Sequence, residues 1–155
     1  MLIRPFERGD TEAVVALWER CELTRPWNDP RRDIERKLTV QPGLFLVGLR
    51  GAAVVASVMA GYDGHRGWVN YLAVDPGCRQ TGLARRLMDV IERELTALGC
   101  PKISLQVRAG NDLAVGFYAV LGYEPDHTVV LGKRLIADEP ATERPPMTGR
   151  RTVQP

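Results

Sequence analysis

The chain has 155 residues, of which 45% are hydrophobic and 26% are charged. This size and composition predict one globular domain with a full core. The formal net charge of +2 is too small to argue for a nucleic-acid partner, and the arginines are scattered among acids rather than gathered in a stripe.

Three cysteines, Cys21, Cys78 and Cys100, argue against a disulfide framework because their number is odd and no CxxC occurs. His65 and His127 do not stand at metal-ligand spacing from them. We therefore expect reduced thiols, no metal and a cytoplasmic protein. No apolar run approaches the roughly 20 residues that span a bilayer, and we see no signal peptide, so no membrane association is expected.

Apolar periodicity predicts a single α/β (α+β) domain over residues 1–137, built as one mixed central sheet flanked by helices, and a disordered tail over 138–155. Asp10, Asp29 and Asn111 are the expected N-caps of the first, second and fourth helices. In chain order the predicted elements are strand 2–6, helix 10–21, helix 30–40, strands 43–49, 52–62 and 68–75, helix 82–98, strand 102–107, helix 112–121 and strand 129–136.

The junction between strand 68–75 and the following helix reads DPGCRQTGLARR. A helix N-terminus exposes backbone N–H groups without intrahelical partners and carries a partial positive charge, so it attracts anions. Gly82 and Ala84 leave room for a diphosphate to approach those amides, and Arg79 and Arg85 add charge. An ordinary tight turn with a glycine is the alternative. Neither the lysine of a P-loop nor the third glycine of a dinucleotide fingerprint is present.

Two motifs in this order resemble the GNAT superfamily of acetyl-CoA-dependent N-acetyltransferases. Arg79-x-x-Gly82-x-Ala84 is similar to its signature [RQ]xxGx[GA], and the preceding LAVDP is similar to its fourth strand. NDLAVGFYAVLGY, which contains Asn111 and Tyr118, is similar to a second family motif. The phrases RPWNDP, GYDGHRG and LGKRLI further resemble a YpeA-like bacterial subgroup.

The resemblance implies that the parallel fourth and fifth strands splay apart and hold the pantetheine arm of acetyl-CoA between them. Backbone groups of the fourth strand would bind that arm, and backbone amides of the junction would bind the pyrophosphate. No metal is required, because a thioester is already activated toward an amine. The coenzyme-binding residues implied in this way are Leu72, Ala73, Val74, Arg79, Gln80, Thr81, Gly82, Leu83, Ala84, Arg85, Asn111 and Tyr118.

The family reaction implies an oxyanion donor and a general acid, and it leaves the general base unassigned. The amide of Leu72 is the candidate donor to the oxyanion, and the Tyr118 hydroxyl is the candidate general acid for the departing thiolate. On helical spacing alone Tyr118 would be a core aromatic; the motif around it favours the catalytic role. Gln106 stands where members that acetylate protein N-termini carry a glutamate, a departure that argues against N-terminal-alanine activity and leaves the base open.

The acceptor pocket is expected opposite the coenzyme, between the TRPWNDP loop and the GYDGHRG turn. Trp27 is a candidate wall of this pocket, or alternatively a plug over the first helix. Asp63, His65 or a water held by Tyr71 are candidate bases; deprotonation by solvent before binding is the other possibility. Three acids are candidates for attracting a cationic amine: Asp29, Asp33 and Asp63.

The sequence thus favours an acetyl-CoA-dependent N-acetyltransferase that acts on a primary amine of a small molecule or a protein by direct attack on the thioester. The alternative is a GNAT-fold module that binds acetyl-CoA without turnover and regulates a partner. Dimerisation is frequent in the family, and the sequence leaves both the oligomeric state and the acceptor open.

Overall fold

A five-stranded mixed sheet forms the centre of the computed structural model, which describes residues 1–138. The strands lie in chain order; the first four are antiparallel to their neighbours, and β5 is parallel to β4. The predicted mixed sheet with flanking helices is therefore confirmed. The elements are β1 Leu2–Pro5, α1 Thr11–Arg20, α2 Pro30–Leu38, β2 Phe45–Arg50, β3 Ala53–Tyr62, β4 Gly67–Val74, α3 Leu83–Ala97, β5 Ile103–Leu105 and α4 Asp112–Val120.

Each face of the sheet buries its own core, because successive side chains of a strand point to opposite faces. On β2, Phe45 and Val47 pack into the cluster of α1 and α2, where the Trp18 side chain is fully buried. Leu46, between them, packs into the cluster of α3, whose apolar stripe includes Leu87. The helices α1 and α2 thus lie on one face and α3 on the other.

Two of the three predicted helix caps are confirmed. The Asp29 carboxylate accepts the backbone N–H of Arg31 at 2.9 Å, and the Asn111 side chain accepts that of Ala114 at 3.2 Å. Asp10 does not cap α1: its carboxylate accepts the backbone N–H of Glu7 at 2.8 Å and pairs with Arg4 at 2.7 Å. A turn of 3-10 helix precedes α1 and uses that carboxylate instead.

The C-terminal end departs from the prediction, because residues 129–136 form no strand and are largely exposed. The segment is attached instead to the loop between α1 and α2. Arg134 donates to Asn28, and the Asp138 carboxylate binds Arg36 at 2.6 Å and the backbone N–H of Asp29 at 2.9 Å. β5 is correspondingly shorter than predicted, since it pairs only with β4.

Residues 139–155, which make up nearly all of the predicted disordered tail, lie outside the described residues. Within residues 1–138, the helices are all too short or too polar to cross a bilayer.

Gly67, the first residue of β4, offers a test of how tightly α3 packs on the sheet. An added Cβ would lie 2.9 Å from the Cys100 sulfur and 3.0 Å from a Leu95 methyl carbon. We expect Gly67→Ala to lower the free energy of unfolding by about 1–3 kcal/mol through overpacking. The control is Gly116→Ala inside α4, where a Cβ meets nothing within 4 Å and the helix should gain about 0.5–1 kcal/mol. Urea unfolding of both variants measures the difference; two shifts of the same sign would contradict it.

Candidate active site

The centre of the candidate site is a bulge in β4 at the point where β4 leaves β5. The two strands pair only as far as Val69 and Leu105. Beyond that point β4 carries one extra residue against β3, since Ser57 pairs with Ala73 whereas Met59 pairs with Asn70. A bulge of this kind bends a strand and increases its twist. The bulge thus lies just beyond the last residue of β4 that β5 pairs, which is where the resemblance predicts the two strands to splay.

Tyr71 lies in this bulge with φ +52°, a left-handed conformation that is unusual for a tyrosine. Hydrogen bonds hold it from two directions. Its carbonyl accepts the Ser57 hydroxyl at 3.2 Å, and that hydroxyl in turn accepts the Trp18 indole N–H at 2.8 Å. Its own hydroxyl donates to Asp33 of α2 at 2.7 Å. We call these four residues the bulge clamp.

The centre of the bulge clamp is buried. Ser57 and Trp18 are fully buried, and the rings of Trp18 and Tyr71 stack with centroids 3.9 Å apart. Burial, together with the Asp33 carboxylate, raises the pKa of Tyr71 well above its usual value. Tyr71 is therefore a neutral phenol near pH 7, which donates to Asp33 and does not itself take up a proton from an amine.

The junction after β4 presents unpaired backbone donors. Gln80 and Gly82 have φ of +62° and +76°, and α3 begins directly after Gly82 with no side-chain cap. The first intrahelical bond runs from the Arg86 N–H to the Gly82 carbonyl, so the preceding amides of the helix, those of residues 83–85, have no intrahelical acceptor. The helices α2 and α4, by contrast, carry their own caps. The N-terminus of α3 is thus open to an external anion.

The junction is held against α1. The Asp75 carboxylate accepts the Gly77 N–H at 2.9 Å and pairs with Arg20 at 2.9 Å, and both interactions hold its pKa below the usual value. The Cys21 thiol donates to the Val74 carbonyl at 3.3 Å, and burial raises its pKa. The end of α1 therefore orients the end of β4 and the turn that leads to α3.

Tyr118 and Asn111 lie at α4, which follows β5. Burial raises the pKa of Tyr118 to about 12, and its ring packs edge-on against Tyr123 at 5.7 Å. Within residues 1–138 no side chain or backbone group bonds the Tyr118 hydroxyl. The Asn111 side chain is used as the cap of α4. Tyr118 thus has a ring that packs in the fold and a hydroxyl that forms no hydrogen bond within residues 1–138.

The predicted acceptor residues fall in two separate places. Asp63 and His65 lie in the turn before β4, and Asp63 uses its carboxylate to bind the backbone N–H groups of His65 and Arg66, which keeps its pKa low. Leu72 lies five positions after Gly67 on β4, which corresponds to roughly 16 Å at about 3.3 Å per residue. Trp27 is instead on the loop next to α2, on the side of Tyr71, and is 48% exposed.

Comparison with known proteins identifies the family. The family model described as acetyltransferase (GNAT) family matches residues 12–123. The chain belongs to the GNAT family of N-acetyltransferases. An acetyltransferase of Yersinia enterocolitica is 52% identical over 139 residues, which cover 90% of this chain and 99% of that protein.

Two solved GNAT-fold structures are also similar to this chain. Ard1 of Thermoplasma volcanium has a TM-score of 0.71 at 26% identity, with 78% of this chain and 80% of that chain covered. The aminoglycoside N-acetyltransferase AAC(6')-Iy, solved with a bisubstrate analogue containing CoA, has a TM-score of 0.71 at 18% identity, with 86% and 97% covered. The latter likeness shows the shared fold.

The sequence does not indicate that Trp18, Asp33 and Ser57 belong to the bulge clamp. Helical spacing places Trp18 only in the core, Asp33 is expected only to attract an amine, and Ser57 has no predicted role. The one available signal is Ser57 itself, a hydroxyl in the otherwise apolar run AVVASVMA. A buried hydroxyl requires a hydrogen-bond partner, but the sequence does not indicate that the partners are Trp18 and the Tyr71 carbonyl.

Removal of the Ser57 hydroxyl tests the bulge clamp. Ser57→Ala leaves the buried Trp18 N–H without an acceptor and the Tyr71 carbonyl without this donor. We expect the free energy of unfolding to fall by about 1–3 kcal/mol. Ser104→Ala on β5 is the control, because the Ser104 hydroxyl makes no hydrogen bond within the described chain. Equal urea midpoints for the two variants would show that the clamp does not stabilise the fold.

Proposed function

We propose that this GNAT-family protein transfers the acetyl group of acetyl-CoA to a primary amine of a small molecule or a protein. The observation that carries the proposal is the uncapped N-terminus of α3, which follows the end of β4 that β5 does not pair. Open helix amides attract a phosphate group, and the part of β4 beyond Val69, which β5 does not pair, would offer backbone groups to an extended thioester arm. The two features together suit a long anionic thioester better than a small metabolite.

The residues proposed to bind acetyl-CoA act mostly through their backbone. Amides of residues 80–85 would bind the diphosphate, with charge added by the exposed side chains of Arg79 and Arg85. Backbone groups of residues 72–74 would bind the pantetheine arm. The small side chains at Gly82 and Ala84 support this role, because a larger group would keep the diphosphate from the amides.

The chemistry requires one donor and one acid. The amide of Leu72, next to Tyr71 on the bulge, is proposed to stabilise the oxyanion. Tyr118 is proposed to protonate the leaving thiolate, and its raised pKa supports this role: with a pKa of about 12, the phenol keeps its proton throughout the physiological range.

A dedicated base is not required by this proposal. Gln106 is exposed, and its amide cannot accept a proton usefully. The Asp63 carboxylate already accepts a backbone N–H of its own turn. We propose that the acceptor amine binds after losing its proton to solvent. After attack, the cationic nitrogen loses one further proton as the amide forms, and this proton restores the Tyr118 phenol that protonated the thiolate, directly or through solvent. The rate should then rise with pH toward the pKa of the acceptor amine.

Gln106 also favours the second candidate, a module that binds acetyl-CoA without turnover. Release of free thiol from acetyl-CoA in the presence of mixed amines separates the two. An enzyme releases thiol only when an acceptor is present, whereas the module binds the coenzyme and releases none with any amine.

The proposed diphosphate site is tested by a pair of substitutions at Gly82. Asn and Asp both tolerate its left-handed φ of +76° better than other side chains, and they differ only in charge. Gly82→Asp places a negative charge where the diphosphate should bind, so we expect the affinity for acetyl-CoA to fall at least about tenfold below that of Gly82→Asn. Calorimetric titration measures both. Equal affinities would exclude this location.

The role of Tyr118 is tested by Tyr118→Phe, which keeps the packed ring and removes only the phenol. We expect kcat to fall by roughly 10²–10⁴ with little change in the affinity for acetyl-CoA, because general-acid catalysis contributes about that factor. Tyr123→Phe is the control, since its hydroxyl is already bonded to Glu92 at 2.9 Å. Wild-type turnover by Tyr118→Phe, with chemistry rate-limiting, would return Tyr118 to a purely structural role.

A further inference from the structure

A groove with a volume of about 580 Å³ lies between the loop that precedes α2 and the C-terminal end of the described chain. Trp27 and Arg36 line one wall, and residues 132–136 line the other. We call it the Trp27 groove. Its apolar side chains are exposed: Trp27 is 48% exposed, Leu135 85% and Ile136 66%. Exposed apolar surface gathered in one place is typical of a binding site.

The cations of the Trp27 groove are not all neutralised. Arg36 is paired with Asp33 at 3.0 Å and with Asp138 at 2.6 Å. Arg134 donates to the Asn28 side chain and to the Ile136 carbonyl, which are both uncharged. Lys133 has no ion pair within residues 1–138. Two cations of the groove therefore lack a paired carboxylate among the residues that the structure describes.

The carboxylates close to the groove are already committed. Asp33 binds the Tyr71 hydroxyl and Arg36, and Asp138 binds Arg36 and the backbone of Asp29. Asp29 in turn caps α2. A polycationic acceptor would find these carboxylates occupied, whereas an anionic group would meet Lys133 and Arg134. The expectation that Asp29 and Asp33 attract a cationic amine is thus not supported by their contacts.

Hydrogen bonds link one wall of the groove to the bulge of β4. Arg36 lines it and bonds Asp33, and Asp33 bonds the Tyr71 hydroxyl next to Leu72. Both α2 and the Trp27 loop lie on the face of the sheet opposite α3. A molecule in the groove would therefore approach the bulge from the side opposite the uncapped N-terminus of α3.

We propose that the Trp27 groove binds the part of the acceptor beyond its reacting amine, and that this part is apolar and carries a carboxylate. The inference rests on the proposed acetyl transfer for its biological role, but the binding itself does not depend on turnover. A free apolar amino acid and a peptide with an acidic residue near its N-terminus both supply this chemistry.

Matched acceptors test the proposal in two arms. The peptide arm compares Leu-Glu amide with Leu-Gln amide, which share the same reacting amine; the amino-acid arm compares leucine with leucinamide, with KM expressed for the neutral amine. Spermidine represents a polycation. Binding is followed by NMR through the Trp27 indole N–H, and transfer by thiol release. In at least one arm we expect the carboxylate-bearing member to show about tenfold lower Kd and KM than its amide, and spermidine to bind more weakly than either.

Charge reversal at Lys133 provides the matched control. Lys133→Glu should abolish the preference for the carboxylate by raising KM with little change in kcat. Arg93→Glu makes the same charge change on α3, at the other face of the sheet, and should keep the preference. Carboxylate-dependent binding that is lost in Lys133→Glu, without transfer to any amine, would support the groove and overturn the proposed function. Transfer to spermidine or to both amides, with no preference for a carboxylate, would overturn the groove and support the function.

Discussion

The bulge at Tyr71 is the constraint on which the rest of the site depends. A residue held at φ +52° costs about 1–3 kcal/mol unless its surroundings compensate. Here the compensation is visible: Ser57 bonds the Tyr71 carbonyl, Asp33 bonds its hydroxyl, and the Trp18 ring stacks on its ring. The extra residue changes the course of β4 just beyond its last pair with β5, where the coenzyme cleft is proposed. The conformation of β4 at the proposed site is thus stabilised by side chains of α1, α2 and β3.

The two faces of the sheet have different tasks in this arrangement. The end of α1 reaches through to the junction, where Arg20 binds Asp75 and Cys21 binds the Val74 carbonyl. The opposite face supplies α3, whose uncapped N-terminus lies directly after that junction. The contacts from α1 therefore hold the junction that precedes α3. They leave the backbone amides at the start of α3 without hydrogen-bond partners within residues 1–138. A bound anion would complete a helix terminus that the protein itself leaves unsatisfied.

Local signals in the sequence predict most of the helices and strands, but they do not predict contacts between distant segments. Asp29 caps its helix as expected, and Gly82 has the positive φ that its position requires. A strand over residues 129–136 would need a pairing partner, and Arg134 and Asp138 instead bond residues that lie 106 and 109 positions away. The bulge clamp is unpredictable for the same reason, since its hydrogen bond between Trp18 and Ser57 spans 39 positions.

The same difference explains why sequence motifs point to the donor substrate but not to the acceptor. The proposed coenzyme site uses mostly backbone amides, and these require only small residues and a particular turn, which a short motif around Gly82 and Ala84 specifies. The proposed acceptor groove is lined by side chains from separate segments: Trp27 before α2, Arg36 within it and Lys133 near the end of the described chain. Their selectivity arises only when the fold brings them together, because the charge that each presents depends on which carboxylates its neighbours have already bound. The acceptor specificity that we propose is therefore a property of the assembled groove, and of the two cations, Lys133 and Arg134, that pair with no carboxylate of residues 1–138.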